Sequence, residues 1–140
     1  MIKDVRISVR SVQSANGNDE VTEFETFGRV GSVKGRVLIA YDEPAGMLAA
    51  GAKTTVRYCE PDRVEIMRKG NQNTRIDVIR GERNSLFYDT PYGSLMLGIY
   101  GEQVECGIDE NGGKLTVGYS IDSNLQHISR NTVEITVREV

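Results

Sequence analysis

Apolar and polar residues alternate with a period of two through nearly the whole chain, and this rhythm constrains the fold more than any other feature. It is cleanest at Leu115, Val117, Tyr119 and Ile121, with Thr116, Gly118 and Ser120 between them. It recurs at Val5, Ile7, Val9; at Val37, Ile39, Tyr41; at Leu95, Leu97, Ile99; and at Val133, Ile135, Val137. Successive side chains of a strand point to opposite faces, so these segments read as strands of an antiparallel sheet with one dry side. Val117 is therefore expected in the core and Thr116 in water.

Punctuation between these runs comes from Gly, Asn and Pro. Asn16-Gly17 and Asn111-Gly112-Gly113 supply the positive backbone angles of tight hairpin turns. Strands are expected at residues 2–12, 20–30, 36–42, 53–59, 63–68, 74–80, 85–90, 94–108 with a break at Gly101, 115–122 and 131–139. Two stretches break the rhythm. Residues 43–52, rich in small apolar side chains and containing Met47 and Leu48, read as a loop or one or two helical turns at a barrel mouth; residues 123–130 read as a longer connection. With no helical period, the fold class is all-β: an antiparallel up-and-down barrel of about eight to ten strands, closed because closure removes exposed edges.

The 140 residues fit one domain, residues 1–140, and a chain of this length buries roughly two thirds of its unfolded surface without staples. Seventeen basic against twenty acidic residues give a net charge of −3, which argues against the uniform positive field of a nucleic-acid or membrane-surface binder. The segment 53–83 is mildly basic, with eight cations against five carboxylates, and reads as a solvated face. No apolar run approaches the ~20 residues needed to span a bilayer. The two cysteines, Cys59 and Cys106, are too few and too far apart for a disulfide framework or zinc site, and with no export signal the expected location is the cytoplasm.

Catalytic patterns are absent. There is no nucleophile elbow, phosphate loop or H-E-x-x-H, and the one histidine, His127, reads as exposed. Glu23 and Glu25 share a strand face, but Phe24 between them is the natural core residue, so both glutamates face water. The sequence therefore gives no catalytic residue, no metal ligand and no cofactor. What remains is the barrel interior. Tyr41, Tyr58, Arg68, Tyr88 and Tyr119 are expected to point inward or to sit at a rim, where their polar groups require partners. Arg68 continues the inward series Val64, Ile66, and is expected to hold an internal carboxylate or an anionic head group.

The segments Val64-Glu65-Ile66-Met67-Arg68-Lys69-Gly70, Thr90-Pro91-Tyr92-Gly93, Ile108-Asp109-Glu110-Asn111-Gly112-Gly113-Lys114-Leu115 and Tyr119-Ser120-Ile121-Asp122, in this order, resemble the YwiB-like family of small bacterial proteins. The resemblance implies a calycin-like barrel, similar in shape to lipocalins and fatty-acid-binding proteins, and brings no activity or catalytic residue with it. Residues 44–52 are longer and more apolar than that family's pattern. Three functions stay open: a module binding a small amphipathic or anionic ligand through Arg68, Tyr41, Tyr58, Tyr88 and Tyr119; a structural or interaction module with a filled barrel, a homodimer among its forms; and an enzyme of unknown reaction.

Overall fold

The computed structural model describes residues 2–44, 51–70, 73–90 and 92–140, the last three of 73–90 by their backbone only. Met47 and Leu48 thus lie outside the described residues. Ten antiparallel strands follow one another: β1 (Ile2–Ala15), β2 (Asn18–Val33), β3 (Arg36–Asp42), β4 (Lys53–Cys59), β5 (Arg63–Lys69), β6 (Thr74–Ile79), β7 (Arg83–Thr90), β8 (Gly93–Cys106), β9 (Gly112–Ser123) and β10 (Gln126–Glu139). They form one sheet in the order β6-β5-β4-β3-β2-β1-β10-β9-β8-β7. Each strand pairs with its neighbour in sequence except across β6 and β7, and β1 with β10 joins the two halves.

The sheet curls into a nearly closed barrel. Its seam lies between β6 and β7, which form no ladder among the described residues. One end of the seam is fastened by backbone: the Gly81 amide donates to the Gly101 carbonyl at 2.8 Å, and the Gly101 amide to the Glu82 carbonyl at 3.1 Å. The close approach requires glycine, because a Cβ on Gly101 would collide with the Ile79 carbonyl. Full closure, the geometry expected from the meander, is thus met everywhere but at this seam.

The alternation places the core as expected. Val5, Ile7, Ile39, Val64, Val78, Ile99, Leu115, Val117, Ile135 and Val137 are buried inside, while Glu23 and Glu25 are exposed and Phe24 packs on the core. Thr116 departs from expectation. It lies on the outer face, yet only 8% of it is exposed, because this short side chain stands between Glu105 and Glu134 of the neighbouring strands.

The stretch 123–130 is a second correction. Asn124 and Leu125, with φ of 52° and 68°, make a two-residue turn straight into β10. The missing alternation there comes from a bulge between His127 and Ser129, which shifts the register and buries Ser129 completely. His127 is exposed as expected, on β10 rather than in a loop. Turn geometry at Asn16-Gly17, with φ of 52° and 79°, agrees with the hairpin reading.

Candidate functional site

The interior is layered, and the layers follow from register. In β3 to β6, Val37, Tyr58, Val64 and Val78 form one inward tier, Ile39, Val56, Ile66 and Ile76 the next, and Tyr41, Thr54, Arg68 and Thr74 the last. The first two tiers are apolar but for Tyr58; the last is polar throughout. It lies toward the end of the barrel that carries the Asn16-Gly17 and Asn124-Leu125 turns, where β3 ends at Asp42 and β4 begins at Lys53.

Below and beside this polar tier is a cavity of about 430 Å³, lined by Val9, Phe24, Val56, Ile66, Ile76, Val133 and Ile135 together with Ser11, Thr22, Tyr41, Glu43, Arg68 and Tyr119. Its size falls at the low end for small-ligand pockets. The barrel is therefore filled at one end and hollow at the other. Phe24 and Tyr41 meet in the wall with ring centroids 5.9 Å apart, tilted by 55°.

Glu43 is the residue that sequence reading missed. Its side chain is only 5% exposed, and its Oε1 accepts a hydrogen bond from Thr54 Oγ1 at 3.0 Å and faces Arg68 Nε at 3.5 Å. A signal for it existed, because Glu43 continues the inward parity of Val37, Ile39 and Tyr41. The following Pro44 and small residues obscure it, because they read as the start of the loop. Backbone bonds fix its position: the Glu43 amide donates to the Ala52 carbonyl at 2.9 Å, and the Gly51 amide to the Glu43 carbonyl at 3.3 Å.

Arg68 points inward as expected and meets an internal carboxylate. The pairing is incomplete, since its buried Nε makes no hydrogen bond. The same side chain borders two further hollows, one along the β6–β7 seam with Lys69, Arg75, Leu86 and Phe87, the other toward Gln13, Glu20 and Asn131. Burial pushes the Tyr41 phenol well above its ordinary range, and the Glu43 charge adds to this against smaller opposing effects of Arg68 and Thr54. Burial also raises Tyr119, with Arg68 opposing. Both phenols thus stay protonated at neutral pH.

Of the five residues expected here, Arg68, Tyr41 and Tyr119 converge. Tyr58 does not: it faces inward at the opposite end of β4, where its hydroxyl donates to the Pro61 carbonyl at 3.2 Å. Strand parity could place it inside but not tell which end was hollow. The backbone of Tyr88 in β7 pairs with Leu95 in β8, while its side chain lies outside the described residues. Within the basic stretch Arg63 pairs with Asp77, Arg75 with Glu65 and Arg83 with Asp122. Among the described residues no group of three or more His, Cys, Asp or Glu side chains could hold a metal, and no helix is long and apolar enough to cross a membrane.

A family model described as a domain of unknown function, DUF1934, matches residues 7–135. The chain belongs to the DUF1934 family. It is 25% identical over 131 residues to the uncharacterized β-barrel protein YwiB of Bacillus subtilis, spanning 92% of this chain and 90% of that one. The crystal structure of the B. subtilis ywiB protein superposes with a TM-score of 0.83 over 99% of this chain and 93% of that one, at 24% identity. The resemblance to the YwiB-like family and the barrel fold expected from alternation are both borne out. The function of the family is uncharacterised.

Proposed function

We propose that this protein is a calycin-like binding module that takes one small amphipathic ligand into the hollow end of its barrel. The apolar part lies against Val56, Ile66, Ile76, Val133 and Ile135, and the polar part against Arg68, Glu43, Tyr41 and Tyr119. The observation that carries this reading is an ion pair left only partly satisfied and set into the wall of a cavity that is apolar on its other side. Burying charge is costly unless it is paired and hydrogen-bonded, so a site of this kind gains from an occupant that completes its bonds. The two cysteines are unpaired, which suits a reducing cytoplasm.

The test is native mass spectrometry of protein purified from its own host, beside a Thr22→Trp variant. Thr22 is exposed at the cavity mouth, so indole there fills space without disturbing the core. A bound small molecule is expected on the native protein and not on the variant, at equal melting temperature. A native protein carrying nothing would sink the reading.

A second reading, association with another copy, is favoured by one observation. Phe87 and Met96 face each other across β7 and β8, 72% and 54% exposed. Light scattering that gave a monomer at high concentration would remove it.

A further inference from the structure

Resting on the reading of the barrel as a ligand-binding module, we infer that the cavity selects an amphiphile whose head group is uncharged and carries both a hydrogen-bond donor and an acceptor, of the primary carboxamide type. The argument starts from the bonds left unmade. Glu43 Oε1 is taken by Thr54 and lies 3.5 Å from Arg68 Nε, while the second carboxylate oxygen accepts no hydrogen bond among the described residues. Arg68 Nε is buried without a hydrogen bond, and its other nitrogens find no acceptor among the described residues. A guanidinium is donor-only and a carboxylate acceptor-only, so among the described residues the pair leaves donors and an acceptor for a ligand to meet.

Charge decides between head groups that could use them. Arg68 and Glu43 already neutralise each other. A free carboxylate seated on Arg68 would lie close to Glu43, whose side chain is 5% exposed and therefore poorly screened, and an ammonium seated on Glu43 would lie close to the partly exposed Arg68. The remaining polar groups do not relieve this, since the Tyr41 and Tyr119 phenols stay neutral. A carboxamide offers its N–H to Glu43 and its carbonyl to Arg68 and adds no charge.

Isothermal titration with octanamide, octanoate and octylammonium separates these cases. The wild-type protein is expected to bind octanamide at least about tenfold more tightly than either ion, and Glu43→Gln to bind octanoate at least about tenfold more tightly than the wild type does, since each factor of ten is a modest difference in free energy. Melting temperature checks that the variant is folded, and the wild-type comparison stands without it. Octanoate binding as tightly as octanamide to the wild type would overturn the inference while leaving the binding module intact. Failure of all three probes on a protein that carries a small molecule from its host would overturn it also, and failure on a protein that carries none would remove both.

Discussion

Arg83 on β7 clasps Asp122 on β9 across the bare backbone of Gly98 on the strand between them. Arg83 Nε and Nη2 donate to Asp122 Oδ2 and Oδ1 at 3.0 and 2.6 Å, and a Cβ on Gly98 would occupy the space of the guanidinium. The clasp ties an edge strand of the seam to the body of the sheet. Asp122 also accepts the Leu125 amide at 3.1 Å and so anchors the β9–β10 turn.

The Arg83 hydrogen bonds hold the Asp122 carboxyl below the usual carboxylate range against an opposing desolvation, and the Leu125 amide adds a smaller lowering. A group whose folded pKa is depressed stabilises above its unfolded value, about 3.9 for Asp, and that contribution fades as pH falls through the folded value. Asp122→Asn is therefore expected to melt lower than wild type at pH 7, with the gap narrowing once the pH falls below that range. A gap that widens in acid would contradict the clasp.

Thr116 faces Glu105 on β8 and Glu134 on β10, both directly opposite in register. Opposite charges in such pairs contribute roughly 0.2–1 kcal/mol each and like charges oppose folding. Thr116→Lys is expected to be at least as stable as wild type, and Thr116→Asp less stable than Thr116→Lys by about 1 kcal/mol or more. Urea unfolding measures this; equal midpoints would show that the register is wrong.

Leu125 is 80% exposed and sits at φ 68°, a region that costs a non-glycine residue roughly 1–2 kcal/mol and that Asn tolerates better. Leu125→Asn keeps the amide bond to Asp122 and is expected to raise stability by about 0.5–1 kcal/mol. A lower melting temperature would mean that Leu125 packs on something it does not touch here.

Removing Arg68 leaves the Glu43 carboxylate with Thr54 as its partner among the described residues. Arg68 is 39% exposed and the contact is 3.5 Å, so the loss is expected at about 1–3 kcal/mol, below that of a fully buried pair. Arg68→Met with Glu43→Leu should recover most of it. A double variant no better than Arg68→Met would show that the two side chains do not act together.

The alternating pattern by itself determined the strands, the inner face and the hairpin at Asn16-Gly17, because strand parity and turn angles are properties of neighbours in sequence. It also placed Arg68, Tyr41 and Tyr119 inside. Tertiary structure alone decided which end was hollow, since Tyr58 and Tyr41 have the same parity on adjacent strands and differ only in height along the barrel. It alone brought Glu43 to Arg68, a meeting set by the register of β3, β4 and β5 rather than by either residue's local sequence. It alone buried Thr116 and left the seam at β6 and β7, because cross-strand partners and barrel closure depend on contacts far apart in the chain, which periodicity does not encode.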